Sequence, residues 1–235
     1  MMQRILFLFC LALTISCGEE EPNLTVTGKV NGLKKGTLYL ERLQDTMLVK
    51  LDSMLVNGEP EFVLQANLEE PEVLYITLST TNAENDIPRV PFFAAKGTTR
   101  ITTSLKRFYH DAKIEGSRQQ EMMNQYNDMI KQFTDKNLDN IKFEFDFRND
   151  SLKLDSVRKV SESLLKRKYL YSVNFAMQNK TNHIAPFIAI SELQDANTTY
   201  LDTLYNVLPD SIANSKYGKQ LSDLIKDRKK TQNDM

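Results

Sequence analysis

The chain has 235 residues, of which 41% are hydrophobic and 26% charged, the composition of a folded globular protein and not of a disordered one. Its formal net charge of −1 excludes the large basic excess that is typical of nucleic-acid binders, so we expect no nucleic-acid partner. Two cysteines are too few for the disulfide framework of a small secreted domain, and two histidines leave little for a histidine-rich metal site.

The amino terminus has the order of a lipoprotein signal peptide. Arg4 supplies the positive start, residues 5–13 are apolar, and the small residue Ser16 precedes Cys17. This order is similar to that of bacterial lipoproteins, in which the bond before the cysteine is cut and the thiol receives diacylglycerol. Only Thr14 departs from the commonest pattern. The alternatives are a plain secretory signal with an incidental cysteine, and a buried apolar strand.

We therefore expect residues 1–16 to be removed and residues 17–23 to form a lipidated acidic tether that begins at Cys17. Glu19, Glu20 and Glu21 are similar to the surface-export signal of Bacteroidota lipoproteins, although a solvated spacer has the same composition. No later segment is apolar over the roughly 20 residues that a spanning helix needs. The expected location is the cell envelope, at the outer membrane, held by two or more acyl chains. Without a free thiol, the mature chain would carry out no thiol redox chemistry.

Residues 24–116 alternate apolar and polar side chains with a period of two, which predicts β-strands. Eight short runs at spacings of about ten residues predict an antiparallel sandwich or barrel-like domain. Residues 31–36 are typical of a hairpin connection, and Asn57-Gly58 is a strong turn signal. The predicted strands are 24–30, 37–43, 47–56, one around Phe62, 73–78, 90–95, one around Ile101 and one around Ile114.

Residues 117–235 carry the helical period, so the predicted fold class is α+β, with a β domain followed by an all-helical region. Ser117 can cap a first helix, with Gln120 in the position of a capping box. A second helix of roughly 28 residues follows, and shorter helices are predicted over 183–193, 200–208 and 216–230. The alternation of Phe143, Phe145 and Phe147 with acidic residues leaves either a short edge strand or an irregular helix.

The β half resembles domain of unknown function 4369, and the helical half resembles the common continuation of that family. In many relatives, which are Bacteroidota lipoproteins, a thioredoxin-like domain with a CxxC motif comes next; here the chain ends at Met235, and we expect that domain to be lacking. The insertion of Glu59, Pro60 and Glu61 departs from the family pattern. The matching segments are LTVTGKVNGL (24–33), GTLYL (36–40), LDS (51–53), NG (57–58) followed by Phe62, GTTRI (97–101), IEGS (114–117), NHIAPF (182–187) and SKYGK (215–219).

Candidate catalytic residues have no accompanying motif, since the sequence contains no phosphate-binding loop and no nucleophile elbow. We expect His110 to face solvent and His183 to be structural at a helix start. Glu69, Glu70 and Glu72 could act as paired carboxylates, but a solvated loop is the expectation. No metal, cofactor or enzymatic activity is therefore predicted. Four basic residues could meet anionic lipid, although an exposed helix face is expected; they are Lys226, Arg228, Lys229 and Lys230.

Asp followed by Ser or Thr and an apolar residue recurs six times, a pattern similar to the O-glycosylation signal of exported Bacteroidota proteins. The same dipeptides are also good helix caps and turn formers, so both interpretations stay open. The six sites begin at Asp45, Asp52, Asp150, Asp155, Asp202 and Asp210.

These observations lead to one functional hypothesis and two alternatives. The leading hypothesis is a lipid-anchored, non-catalytic binding or scaffolding module whose partner is another envelope protein, such as a separate thioredoxin-like oxidoreductase. The first alternative is a surface lipoprotein that binds a glycan or peptide on a sheet face. It requires an exposed cluster of rings, for which the candidates are Tyr39, Tyr75, Phe92 and Phe93. The second alternative is the remnant of a redox lipoprotein that has lost its catalytic domain.

Overall fold

A computed structural model describes residues 21–80, 88–194 and 197–233. Cys17 and the predicted signal peptide lie outside the described residues, so their assignments stay predictions. The strands are β1 (Leu24–Asn31), β2 (Lys35–Gln44), β3 (Met47–Asn57), β4 (Glu61–Ala66), β5 (Glu72–Ser79), β6 (Arg89–Ala94), β7 (Gly97–Ser104) and β8 (Lys113–Glu115). The helices are α1 (Arg118–Asp146), α2 (Ser151–Gln178), α3 (Ile184–Glu192), α4 (Thr198–Asn206), α5 (Asp210–Ala213) and α6 (Lys216–Asn233). The predicted α+β fold class is confirmed; the short helix α5 was not predicted.

Two four-stranded sheets form the β half, with strand orders β4-β1-β7-β8 and β3-β2-β5-β6. The pairing between β1 and β7 is parallel, and the other pairings in the described chain are antiparallel. Alternate apolar side chains of both sheets meet in one core, as the period of two predicts. Leu38 and Leu40 of β2, for example, are fully buried there together with Leu74 of β5.

The connection over residues 31–36 is not a hairpin, so this prediction was wrong. β1 pairs with β4 and β7, whereas β2 lies in the other sheet. Gly32 adopts a φ of +86° and turns the chain, and Leu33 is then buried in the core between the sheets. Local turn residues predict a change of direction, but strand pairing far along the chain determines which sheet the next strand enters. The turn at Asn57-Gly58 is confirmed, with a φ of +103° at Gly58.

The helices cover the outer face of the second sheet at β5 and β6. Val73 on β5 and Phe93 on β6 point away from the sandwich and join a second core that is built mostly from residues of the helical half. The ring of Phe93 meets the rings of Phe187 and Tyr217 edge to face, at centroid distances of 5.6 and 6.0 Å. The helical half is thus packed directly on the sheet.

Helices α1 and α2 form a long hairpin. The side chain of Ser117 caps α1 by accepting a hydrogen bond from the backbone N–H of Gln120, and the side chain of Asp150 caps α2. Phe143 and Phe145 lie in the last turns of α1, and the helix ends at Phe147, so the edge-strand alternative is wrong. Phe143 and Phe147 are four residues apart, and their rings stack at 6.3 Å, as neighbours on a helix do. Within the described ranges, no helix is both long enough and apolar enough to cross a membrane.

Candidate functional site

A cleft of about 1000 Å³ opens between the second sheet and helices α3 and α6. We call it the charged cleft because ionisable side chains from both halves of the protein line it. One wall comes from the end of β2 and the start of β5, and the other from α3 and the first turns of α6. Its central residues are Arg42, Glu70, Glu72, Tyr75, Lys216 and Tyr217.

Glu72 is the most buried charged group of the cleft, with a side chain that is 6% exposed. The Arg42 Nε lies 2.7 Å from one of its carboxylate oxygens, and the Lys216 Nζ lies 2.5 Å from the other. These three side chains come from β2, β5 and α6. The ion pairs therefore tie the first turn of α6 to the sheet, and both oxygens of Glu72 are engaged by cations.

Glu70 lies beside the triad of Arg42, Glu72 and Lys216, and its carboxylate faces the N-terminal ends of α3 and α6. One of its oxygens accepts a hydrogen bond of 2.6 Å from the backbone N–H of Lys216, the first residue of α6. A carboxylate is favourable there because the N-terminus of a helix carries partial positive charge. The other oxygen lies 3.7 Å from Nδ1 of His183, immediately before α3. Burial lowers the pKa of His183, and the nearby Glu70 carboxylate opposes this shift in part.

Tyr217 lines the cleft and is itself buried. Its hydroxyl accepts a hydrogen bond of 2.8 Å from the backbone N–H of Val73, which joins α6 to β5 a second time. Burial raises the pKa of Tyr217 well above its usual range, so the phenol stays protonated. Tyr75 is half-buried and contributes its ring to the cleft wall.

The charges that line the cleft are balanced. The cations are Arg42, Lys96, Lys216 and Lys219, and the anions are Asp45, Glu69, Glu70 and Glu72. Within the ranges that the structure describes, no three His, Cys, Asp or Glu side chains are placed to hold a metal ion together. A general acid or base must exchange a proton with a substrate, whereas the Glu72 carboxylate is enclosed by two cations. Glu72 is therefore not placed to act as a general acid or base.

The three predicted carboxylates have different surroundings. Glu69 is exposed, in line with the predicted solvated loop, and Glu70 is partly exposed. For Glu72 that prediction was wrong, because the residue begins β5 and α6 covers its side of the sheet. Arg42 and Lys216 were not predicted as partners of Glu72. No local signal could have identified them, since Lys216 is 144 positions away in sequence.

The two histidines lie where the sequence predicts. His110 is exposed, and its ring contacts that of Tyr109 at 5.3 Å. Its neighbour Asp111 is bonded to Ser104 and paired with Arg107. His183 is half-buried beside Glu70, at the start of α3, as expected for a structural role.

The four aromatic residues suggested for a ligand platform do not share one exposed surface. Phe92 is buried in the sandwich core and Phe93 in the second core. Tyr39 and Tyr75 are half-buried, and the Nζ of Lys50 lies 4.1 Å from the centre of the Tyr39 ring. The platform required by the sheet-face alternative is therefore not formed. Tyr39, Tyr75 and Phe93 share the outer face of the second sheet, but Phe93 is buried there under the helices, and Phe92 points to the opposite face.

The basic residues near the carboxyl end lie on α6. Lys226, Lys229 and Lys230 are exposed and each pairs with an aspartate, namely Asp223, Asp202 and Asp227. Arg228 bonds the backbone oxygen of Gln194. These contacts confirm the predicted exposed helix face.

The hydroxyl residue is exposed in all six Asp-Ser and Asp-Thr sites. Asp45 lies in a turn with a φ of +54°, and Asp150 caps α2, as the cap and turn interpretation predicts. Asp52, Asp155 and Asp202 instead lie inside a strand or a helix. Glycosylation at these sites stays a prediction.

Comparison with known proteins matches one family model to part of the chain. No curated protein matches the chain. Among solved structures, the crystal structure of an (S)-allantoin synthase is similar at 14% identity and a TM-score of 0.27, over 41% of this chain and 44% of the other. This chain thus spans less than half of that protein, and the similarity is too low to bear on fold or function. Residues 24–123 match the family model described as "Domain of unknown function (DUF4369)", and this protein therefore contains a DUF4369 domain, in agreement with the resemblance of its sequence.

Proposed function

We propose that this protein is a non-catalytic binding module of the cell envelope, anchored by lipid on Cys17, and that the charged cleft binds a polypeptide segment of a partner protein. The observation that carries the proposal is the balanced lining of the cleft, with four cations, four anions and the rings of Tyr75 and Phe187. A polyanion would meet four carboxylates in this cleft. A polypeptide offers anionic, cationic and apolar side chains, so it complements the cations, the anions and the aromatic rings of the cleft.

The pairing of Glu72 with Arg42 and Lys216 supports binding over catalysis. The Glu72 charge is already compensated by two cations, and removing it would leave Arg42 and Lys216 without this counter-charge. The family resemblance favours a thioredoxin-like oxidoreductase as the partner. A glycan is the second candidate ligand, and the observation in its favour is that the lining of the cleft includes the ring of Tyr75 and the amides of Asn67 and Gln220.

Site-specific photo-crosslinking tests the cleft. A photoreactive amino acid replaces the exposed cleft residue Gln220, and a matched control replaces Gln65, which is also exposed but lies on β4 and does not line the cleft. We expect an adduct from position 220 in native membranes, absent at position 65, whose mass spectrum contains peptides of one other envelope protein. An adduct that carries only carbohydrate would favour the glycan alternative. Equal or absent adducts at both positions would contradict a binding role for the cleft.

Metabolic labelling with an alkyne-bearing fatty acid tests the anchor. We expect the wild-type protein to be labelled and Cys17→Ser to be unlabelled. Cys10→Ser is the matched control and should retain the label, because that residue lies within the predicted signal. Label that persists in Cys17→Ser would contradict lipidation at this position.

A further inference from the structure

The hairpin of α1 and α2 extends well beyond both cores. α1 has 29 residues and is therefore about 43 Å long at 1.5 Å per residue. Met122 and Tyr126 anchor its first turns in the second core. None of the residues 131–163, all of which the structure describes, belongs to either core. We call these residues the distal hairpin.

One face of α1 in the distal hairpin is apolar and open. Leu138, Ile141 and Phe145 are 51%, 53% and 67% exposed, and their spacings of three and four residues place them in one stripe. Phe133 marks the face that packs on α2, because its ring lies 6.0 Å from that of Tyr171. At 100° per residue, the stripe is centred roughly 110° around the helix from Phe133. It is therefore a separate surface and not the edge of the hairpin seam.

We infer that two copies of this chain associate through antiparallel pairing of their α1 helices along this stripe. Apolar residues repeated at three and four positions are the pattern that packs knobs into holes between two helices. When the pairing is centred between Leu138 and Ile141, Leu138 of each copy lies opposite Ile141 of the other. The contact is then isologous, as in the commonest closed dimers.

The charge of the distal hairpin favours a second copy over a strongly charged partner. Seven basic and seven acidic residues leave it without net charge, so neither an anionic membrane nor a nucleic acid is attracted. The basic residues are Lys131, Lys136, Lys142, Arg148, Lys153, Arg158 and Lys159, and the acidic residues are Asp135, Asp139, Glu144, Asp146, Asp150, Asp155 and Glu162.

The charges beside the stripe are self-complementary in this register. Lys142 follows Ile141 directly, and Asp135 lies seven residues, or two helical turns, before Lys142 on the same side of the stripe. In the antiparallel pair, Lys142 comes next to Asp135 of the second copy, and symmetry forms this pair twice. Within one copy, the Nζ of Lys142 lies 3.3 Å from Asp139, but this exposed pair is worth little and can exchange.

Charge reversal in the full chain tests the pairing. Two copies with different epitope tags are co-expressed and recovered from detergent extracts, and the wild-type copies should be recovered together. Lys142→Glu alone and Asp135→Lys alone should each reduce co-recovery, because each places like charges together twice. When one tagged copy carries Lys142→Glu and the other carries Asp135→Lys, both pairs become attractive again and co-recovery should return.

Two controls separate this result from misfolding and from shared micelles. Lys136→Glu changes a lysine of the same helix off the stripe and should leave co-recovery intact. Circular dichroism should show equal helix content in all variants. Wild-type copies that are never recovered together would overturn the inference. Co-recovery that the single variants do not alter, or that fails to return when they are combined, would also overturn it.

Discussion

The side-chain oxygen of Gln120 on α1 accepts a hydrogen bond of 2.6 Å from the backbone N–H of Phe93 on β6. β6 is an edge strand, and Phe93 is the residue whose ring lies in the second core. Ser117 bonds the carbonyl of the same residue through its hydroxyl, at 3.2 Å. The first turn of α1 thus satisfies the open edge of β6 as a neighbouring strand would, and this fixes where the helical half meets the sheet.

Replacing Gln120 should destabilise the protein more than replacing an exposed glutamine of the same helix. Gln120→Ala removes the acceptor and leaves the buried N–H of Phe93 unsatisfied, which costs about 1–3 kcal/mol. The measurement is the free energy of unfolding in urea. Gln125→Ala is the matched control, since Gln125 is exposed on the same helix, and it should change stability by less than about 0.5 kcal/mol. Equal effects of the two changes would contradict the role assigned to Gln120.

Stability should fall in alkaline solution because buried phenols resist ionisation. Burial raises the pKa of Tyr126 well above its ordinary value of 10.0, although a hydrogen bond of 2.7 Å to Ser172 opposes the shift. Above about pH 10 the unfolded chain loses this proton while the folded chain keeps it, so the free energy of unfolding decreases.

Replacing a single tyrosine by phenylalanine removes its hydroxyl and tests this pH dependence. Tyr126→Phe should reduce the alkaline loss, and at neutral pH it should cost about 0.5–1.5 kcal/mol for the hydrogen bond. Tyr109→Phe is the control, because Tyr109 is exposed. Urea titrations across the alkaline range measure both effects. An unchanged slope in Tyr126→Phe would show that other groups cause the loss.

The sequence predicted the eight strands and the long helices because each depends on local periodicity. It did not predict strand partners, since the turn at residues 31–36 looks the same whether the chain enters a neighbouring strand or the opposite sheet. The predicted capping box at the start of α1 was confirmed in part. The backbone N–H of Gln120 donates to the side chain of Ser117 as expected, but the side chain of Gln120 bonds Phe93 on β6. The charged cleft depends on residues that are far apart in sequence, such as Arg42 and Lys216, and a single sequence carries no signal for that contact.

Breaking the ion triad of the cleft should loosen α6 from the sheet. Glu72→Gln removes the charge that lies between Arg42 and Lys216, and these cations are 28% and 29% exposed in their side chains. Loss of one partner from a buried pair costs roughly 3–5 kcal/mol, and partial access to water places this case at or below the lower end. Glu69→Gln is the matched control on an exposed neighbour. Urea denaturation compares the two, and a loss no larger than in the control would contradict the structural role of the triad.

Acidification should destabilise the protein through His183. Burial lowers the pKa of this imidazole below its ordinary value of 6.5, so the folded chain holds it neutral. As the pH falls through about 6.5, the unfolded chain takes up the proton first, and stability that is present at higher pH is lost. The free energy of unfolding should therefore decrease as the pH falls below about 6.5. His183→Gln should flatten this dependence, whereas His110→Gln, at the exposed histidine, should leave it unchanged. If both variants showed the same pH dependence, groups other than His183 would cause the loss of stability in acid.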